Sequence, residues 1–125
     1  MLIDTDVLVW YMRGNHHAYD TIEGLSGFSF SVITYMELVQ GKRNKQELHE
    51  LEKAIQRWNA TVLQINEVIS TKASEYVKQH YLSHALELAD ALIGATAVVN
   101  QLPLLTANDK HYKVIQGITI DPFRS

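Results

Sequence analysis

The sequence predicts an α/β domain built on a central, mainly parallel sheet. Short apolar segments typical of buried strands alternate along the chain with longer segments of helical periodicity, and this alternation is typical of parallel sheets covered by helices. At 125 residues the chain is long enough for one hydrophobic core and short for two. Its composition, 46% hydrophobic and 20% charged, is ordinary for a globular domain. We therefore expect a single domain over residues 1–125.

The first predicted elements are a strand, a helix and a second strand. Residues 2–3 are a very short apolar segment, and Asp4 and Thr5 after it suit the N-cap of a helix over residues 7–12. Residues 28–33 alternate apolar and small polar side chains, which predicts a strand.

Two helices and a third strand follow. Thr34 and Glu37 match the capping box, in which a threonine at the N-cap pairs with a glutamate three residues on, so we expect a helix from there to about Gly41. Residues 44–59 carry apolar side chains at helical spacing, which predicts an amphipathic helix. Residues 61–65 are the next strand candidate.

The second half of the chain repeats the alternation. Residues 68–77 have the periodicity of a helix, and residues 88–100 are apolar nearly all round, which predicts a central, buried helix with Asp90 in its first turn. Residues 104–106 and 117–120 are the last two strand candidates. The segment around His16 and His17 has no such pattern and is expected to be a loop.

Charge and composition narrow the class of function. The net charge is −3 and the pI is near 6.0, whereas a protein that binds nucleic acid by charge alone is usually basic. The longest nearly apolar stretch, residues 91–99, is too short to span a bilayer, and the acidic N-terminal residues do not fit a signal peptide. The absence of cysteine excludes disulfides and thiolate metal sites and fits a reducing cytoplasm. We expect a cytoplasmic protein that does not associate with membranes.

Four acidic residues occupy equivalent positions in this pattern. Asp4 and Asp109 follow short apolar strands, and Glu37 and Asp90 lie in the first turns of predicted helices. Strand carboxyl ends and the helices that follow them share one edge of an open parallel sheet, and such folds bind ligands at that edge. We expect the four acids to converge there as a catalytic, metal-binding cluster.

Each acid taken alone also has a structural explanation. A carboxylate in the first turn of a helix gains about 0.3–1 kcal/mol from the helix dipole, and Glu37 fits a capping box. Four carboxylates together would raise one another's pKa values and destabilise the fold unless a cation lay among them. Mg²⁺ prefers oxygen ligands, and two such ions can activate water for phosphodiester hydrolysis. Asp90 stands out because a carboxylate at the start of a buried helix needs a partner.

Four segments in order along the chain resemble a PIN-domain protein of the VapC type, the toxin of a bacterial or archaeal toxin–antitoxin pair. They are residues 2–8 (LIDTDVL), 31–41 (SVITYMELVQG), 89–97 (ADALIGATA) and 102–109 (LPLLTAND). The resemblance covers nearly the whole chain, and the four motifs together are specific although each alone is weak.

The resemblance implies a three-layer α/β/α PIN-like domain and a metal-dependent endoribonuclease in which water attacks an RNA phosphodiester. Asp4 and Asp90 match the central metal ligands, and Glu37 matches the third acid, as a ligand or in orienting the attacking water. Asp109, with Asn108 beside it, falls in the more variable fourth motif. The implied cofactor is Mg²⁺, with Mn²⁺ as a substitute. The implied protein partners are a second copy in a homodimer and a VapB-type antitoxin that covers the active site.

Two positions depart from the family pattern. Position 6 is commonly asparagine and is Asp6 here, and the fourth motif often has an acid where this chain has His111. Either Asp109 replaces that acid, or metal binding rests on three acids with Asn108 in support.

Basic residues near these motifs are candidates for contacts with the RNA backbone, although each is also explained as a solvated surface residue. They are Arg13, Lys42, Arg43, Lys45 and Lys110. His80 and His84 have a spacing that can bind zinc, but no third ligand is apparent and we interpret them as surface histidines.

Two alternatives remain open. A phosphatase of the haloacid dehalogenase type would have Asp4 as its nucleophile, but Leu8 follows Asp4-Thr5-Asp6-Val7 where that class has threonine or valine. A non-catalytic PIN-like module would bind RNA or a protein without cleaving it.

Overall fold

The computed structural model describes residues 1–83 and 86–125, and in it five short strands form one all-parallel sheet. The strands are β1 (Leu2–Ile3), β2 (Ser29–Ser31), β3 (Thr61–Leu63), β4 (Leu104–Thr106) and β5 (Ile120–Pro122). Their order across the sheet is β3-β2-β1-β4-β5, so the first strand of the chain lies at its centre.

Helices cover both faces of this sheet. They are α1 (Thr5–Met12), α2 (His16–Glu23), α3 (Val32–Gln40), α4 (Lys45–Trp58), α5 (Glu67–His80), α6 (Leu88–Val99) and α7 (Asp109–Tyr112). Successive strand residues point to opposite faces, so Ile3 packs in a core with residues of α1 to α4, while Leu2 packs in a second core with residues of α5, α6 and α7. The α/β fold with a parallel sheet and three α/β/α layers is therefore confirmed.

The capping box expected at Thr34 and Glu37 is wrong. Ser31 is the N-cap, and its hydroxyl accepts a hydrogen bond from the Ile33 amide at 3.0 Å, so α3 begins at Val32. Serine caps a helix as well as threonine does, and Ser31 is the last residue of the buried strand, directly before α3. Glu37 therefore lies in the second turn of α3, where neither capping nor the first-turn dipole accounts for it.

Three other details differ from the expected elements. Residues 16–23 form a helix where a loop was expected. The Asn15 side chain caps this helix by accepting a hydrogen bond from the Ala18 amide at 2.9 Å. Only Ala18 and Ile22 of the helix are buried, and two apolar positions are too few to predict a helix from the sequence. The four-residue α7 was not predicted, and the last strand lies at Ile120–Pro122 instead of residues 117–120. In the residues that the structure describes, every helix is too short or too polar to cross a membrane.

Candidate active site

Asp4 lies at the carboxyl end of the central strand, where it is the N-cap of α1 and only 4% exposed. Its Oδ1 accepts hydrogen bonds from the Thr5 amide at 2.8 Å and the Tyr112 hydroxyl at 3.2 Å. Its Oδ2 accepts one from the Thr106 hydroxyl at 2.7 Å. Three donors from α1, α7 and β4 therefore fix the orientation of this carboxylate.

These donors do not offset the electrostatic cost of burying Asp4. Burial, and next the negative charge of Asp6, raise the pKa of Asp4 from 3.8 to about 7, although the three hydrogen bonds lower it. A carboxylate held in this way has a strong affinity for positive charge, either a proton or a cation.

Asp6 lies on the first turn of α1, beside Asp4. Its Oδ2 accepts a hydrogen bond from the Ala107 amide at 3.0 Å, and its Oδ1 is buried without a hydrogen-bond partner among the described residues. Burial raises the pKa of Asp6 as well. A buried carboxylate oxygen without a donor is costly unless a cation satisfies it.

Asp90 lies at the third position of α6, as the sequence predicted. Its Oδ2 accepts a hydrogen bond from the Glu87 amide at 3.2 Å and lies 3.9 Å from Nδ1 of His111, and its side chain is 17% exposed. Burial raises its pKa, although the Glu87 amide and the His111 ring lower it. Asp90 is thus a second acid that is partly desolvated and open to the cleft described below.

Glu37 is exposed on α3 and reaches the same place from the other side of Asp4. The Thr5 hydroxyl donates a hydrogen bond to its Oε1 at 2.7 Å, and the same hydroxyl lies 2.9 Å from that of buried Thr34. This pair of threonines links α1 to α3 and orients Glu37 toward the cleft.

The four carboxylates border one cleft of about 370 Å³. Its lining residues are Asp4, Thr5, Asp6, Val9, Trp10, Arg13, Glu37, Asp90, Ile93 and Asn108. Three of the four acids predicted from the sequence are brought together here, and Asp6 is a fourth that the sequence marked only as a departure from a pattern.

Asp109 does not lie in this cleft. Its carboxylate pairs with the guanidinium of Arg124 at 3.1 Å through both nitrogens, and this pairing lowers its pKa. Asp109 instead lines a neighbouring pocket of about 430 Å³ with Lys110 and His111, and Asn108 is shared between the two. The expectation that Asp109 joins the other acids does not match its position, because the chain turns into α7 directly after Asn108 and directs Asp109 away.

The donor set of the cleft fits a hard divalent cation, because it consists of carboxylate and amide oxygens. Within the part of the chain that the structure describes, no three acidic or histidine side chains stand close enough to form a ready-made metal cluster. Mg²⁺ often binds through only one or two carboxylates and keeps several waters, so it does not require such a cluster. The unpartnered Asp6 oxygen and the raised pKa of Asp4 are the observations that favour a cation here.

The candidate RNA-binding residues lie at different distances from the cleft. Arg13 lines both the cleft and an adjoining groove of about 490 Å³, and Lys42 and Arg43 line that groove as well. Arg43 is paired with Glu47 at 2.8 Å.

The other predicted basic residues lie away from this groove. Lys45, exposed at the start of α4, is not among the residues that line the groove. Lys110 lines the neighbouring pocket that shares Asn108 with the cleft. His84, of the histidine pair noted in the sequence, lies outside the described residues.

Sequence reasoning missed three side chains that complete the site, Trp10, Thr106 and Tyr112. Trp10 is 37% exposed and lines the cleft; helical spacing from Asp6 to Trp10 and on to Arg13 was the signal that could have found it. Thr106 and Tyr112 gave no comparable signal, because their contact with Asp4 spans more than a hundred positions in the chain.

Comparisons with known proteins agree with this architecture. The PIN domain family matches residues 1–117. The chain is 31% identical over 124 residues to ribonuclease VapC10 of Mycobacterium tuberculosis, covering 94% of this chain and 90% of the relative. A toxin–antitoxin complex from Klebsiella pneumoniae superposes with a TM-score of 0.81 at 26% identity, covering 99% of this chain and 98% of that one. VapBC2 from Rickettsia felis, bound to a DNA fragment from its promoter, shares the fold with a TM-score of 0.84 at 17% identity and 98% coverage of both chains.

PIN-domain ribonucleases generally use a divalent metal ion, which agrees with the oxygen-rich cleft. A shared fold alone does not require a family match over residues 1–117. Nor does it require 31% identity to VapC10 across almost the full chain. The chain belongs to the PIN-domain family and, within it, to the VapC group.

Proposed function

We propose that this protein is a Mg²⁺-dependent endoribonuclease, a single PIN-like domain that acts as the toxin of a toxin–antitoxin pair in the cytoplasm. The observation that carries the proposal is the cleft in which Asp4, Asp6, Glu37 and Asp90 meet, with the Asp4 carboxylate buried and its pKa raised to about 7. Buried carboxylates are normally paired with a cationic side chain or coordinate a metal ion. Arg13 is the one cationic side chain among the residues that line this cleft.

Asp4 and Asp90 are the proposed cation ligands, with Asp6 beside them. When bound, the cation would supply the positive charge that attracts a phosphodiester and would stabilise the charge that develops on it. Mg²⁺ fits a site of oxygen ligands, and Mn²⁺, with similar ligand preferences, is the expected substitute.

Glu37 is the proposed base. Its carboxylate is exposed to the cleft and held by the Thr5 hydroxyl at 2.7 Å, so one oxygen is oriented while the other is free to accept a proton from water. Asp4 is less suited to this role because it is buried and both of its oxygens accept hydrogen bonds, and Asp6 is less suited because its Oδ1 is buried and its Oδ2 accepts from the Ala107 amide. Proton transfer to a positioned side chain contributes typically about 10²–10⁴-fold to such a reaction.

The RNA strand is proposed to cross the cleft between two groups of basic residues. Arg13, Lys42 and Arg43 line the groove on one side, and Lys110 and Arg124 line the pocket on the other. Because the cleft shares residues with both, a phosphate backbone lying along the groove, the cleft and the pocket would pass basic side chains in both neighbouring pockets. Two of them, Arg43 and Arg124, are already paired with Glu47 and Asp109.

The proposed protein partners are a VapB-type antitoxin and a second copy of this chain. The first follows from the similarity, at 26% identity, to a protein solved as a toxin–antitoxin complex.

Asp4→Asn and Asp90→Asn test the function. Each should abolish Mg²⁺-dependent RNA cleavage while circular dichroism shows an intact fold, and each should relieve growth arrest when the protein is expressed in a bacterium. Asp20→Asn, an exposed acid of α2, is the matched control and should cleave RNA normally. Full cleavage by both site variants would contradict the proposal, and RNA binding without cleavage by the wild type would support a non-catalytic module instead. A covalent phosphate on Asp4 would support the phosphatase.

A further inference from the structure

Tyr112 is a fully buried tyrosine whose hydroxyl reaches the carboxylate site. It is the last residue of α7, its side chain is 0% exposed, and its hydroxyl donates to Oδ1 of Asp4 at 3.2 Å. Burial, and next the negative charges of Asp4 and Asp90, raise the pKa of Tyr112. The hydroxyl therefore lies near both acids proposed to bind the cation.

A glycine on α6 accommodates the segment that follows Tyr112. A Cβ atom on Gly94 would come within 2.4 Å of Cδ1 of Ile115 and 3.6 Å of Cδ1 of Tyr112. Since Gly94 follows Asp90 by one helical turn, the bare surface of α6 at that point accommodates the segment that carries Tyr112. The helix that presents Asp90 and the ring that contacts Asp4 are thus packed directly together.

Packing alone does not explain the hydroxyl. A phenylalanine would fill the same space without the cost of burying a polar group. The Tyr112 hydroxyl is instead placed as a donor to Oδ1 of Asp4 at 3.2 Å, and a tyrosine hydroxyl is protonated at neutral pH.

The hydrogen bonds leave Asp4 little free acceptor capacity. An ionised carboxylate has about four lone-pair positions, two on each oxygen. The Thr5 amide and the Tyr112 hydroxyl occupy Oδ1, and the Thr106 hydroxyl occupies one position of Oδ2. The position that remains is on Oδ2, so Asp4 can offer a cation one oxygen but not two.

We propose that Tyr112 is a positioning residue that restricts Asp4 to one-oxygen binding of the cation and thereby favours Mg²⁺ and Mn²⁺ over Ca²⁺. This inference rests on the proposed function, in which Asp4 and Asp90 hold the cation. Small cations of octahedral preference bind carboxylates through single oxygens, whereas Ca²⁺ readily accepts both oxygens of one carboxylate. Without the Tyr112 hydroxyl, Oδ1 becomes available and the site should lose its preference for the smaller ions.

The test compares Tyr112→Phe with Tyr76→Phe. Tyr76 is also a buried tyrosine, and its hydroxyl donates to the Gln116 carbonyl at 3.1 Å, so this control removes a similar hydrogen bond from another part of the same core. Mn²⁺ and Ca²⁺ affinities are measured by calorimetric titration on protein freed of metal, without RNA. We expect Tyr112→Phe to reduce the ratio of Mn²⁺ to Ca²⁺ affinity by about 10-fold, which is the lower end of the loss in metal affinity when a group that orients a ligand is removed. Tyr76→Phe should leave the ratio unchanged.

The ratio is measured within each variant, so it does not depend on a change in stability or in folded fraction. An unchanged ratio in Tyr112→Phe overturns the inference, as does an equal fall in Tyr76→Phe. Asp90→Asn separates this failure from failure of the proposed function. If Asp90→Asn binds Mn²⁺ as tightly as the wild type, the cation site itself is wrong; if it loses Mn²⁺ while Tyr112→Phe keeps the wild-type ratio, only the role of Tyr112 is wrong.

Discussion

The hydroxyl of Thr106 donates a hydrogen bond to Oδ2 of Asp4 at 2.7 Å, joining residues 102 positions apart at the carboxyl ends of two neighbouring strands. Oγ1 of Thr106 also accepts from the Asn108 amide at 2.9 Å. One side chain therefore holds the buried acid and the turn that follows β4.

Thr106→Val should impair cleavage with a moderate loss of stability, because valine keeps the shape and removes the donor. We expect activity to fall by about 10–100-fold, the usual effect of losing a group that orients a metal ligand. The free energy of unfolding should fall by about 1–3 kcal/mol, since the Asn108 amide loses its acceptor. Rates at saturating Mg²⁺ and urea unfolding measure the two effects. Thr71→Val, on the exposed face of α5, is the control, and equal activity of the two variants would contradict the prediction.

The metal-free protein should lose stability as the pH rises toward neutral. The pKa of Asp4 is about 7 in the folded chain against 3.8 ordinarily, so between these values the folded chain retains a proton that the unfolded chain has released. Stability should be highest below this window and fall through it. Melting temperatures in EDTA at intervals across the window measure this effect, and 1 kcal/mol corresponds to roughly 3–6 °C in a domain of this size.

Asp6→Asn and added Mg²⁺ should each reduce this loss. The variant removes the charge that raises the pKa of Asp4 and replaces a buried carboxylate whose Oδ1 has no partner among the described residues. Mg²⁺ would neutralise the same charges. A melting temperature that is independent of pH in EDTA, or unaffected by either change, would contradict this account.

Asp109→Asn should leave RNA cleavage within about threefold of the wild type. Asp90→Asn should reduce cleavage by more than the roughly 10–100-fold typical of losing a group that only orients a metal ligand. The reason is position: Asp109 is paired with Arg124 outside the carboxylate cleft. Cleavage rates at several Mg²⁺ concentrations would distinguish the two. Equal losses in both variants would show that Asp109 belongs to the catalytic set and that α7 rearranges.

Trp10 should stack on a base of bound RNA. It is partly exposed in the cleft one turn before Arg13, while Trp58, the other tryptophan of the chain, is buried. RNA should therefore quench tryptophan fluorescence in the inactive Asp90→Asn protein, and Trp10→Leu should abolish the quenching. The dissociation constant should rise at least about fivefold, the lower limit for one stacked base.

Tyr81→Ala is the control for that experiment, because it removes an exposed aromatic residue that lines a different pocket. Unchanged RNA affinity in Trp10→Leu would refute the stacking role. If the same variant weakened antitoxin binding, Trp10 would be a contact for the protein partner.

The sequence was sufficient for the parallel sheet, the buried helix α6 and the placement of Asp4 and Asp90, because short-range patterns determine these features. It could not place Asp109, since the direction of that side chain depends on a four-residue helix and on Arg124 near the chain end. It also misplaced the start of α3, where Ser31 and Thr34, three positions apart, could each serve as the N-cap. The hydrogen bonds from Thr106 and Tyr112 to Asp4 could not be predicted from the sequence, because they form only when distant segments of the chain meet.

The central position of β1 has a consequence for how the protein is made. Asp4 directly follows β1, whereas β4, which pairs with β1 and supplies the Thr106 donor, is synthesised about a hundred residues later. Contacts so distant in sequence form late in folding. A nascent chain therefore cannot assemble the carboxylate cleft until β4 has been translated, and the ribosome that makes the protein is not exposed to a finished active site before that point.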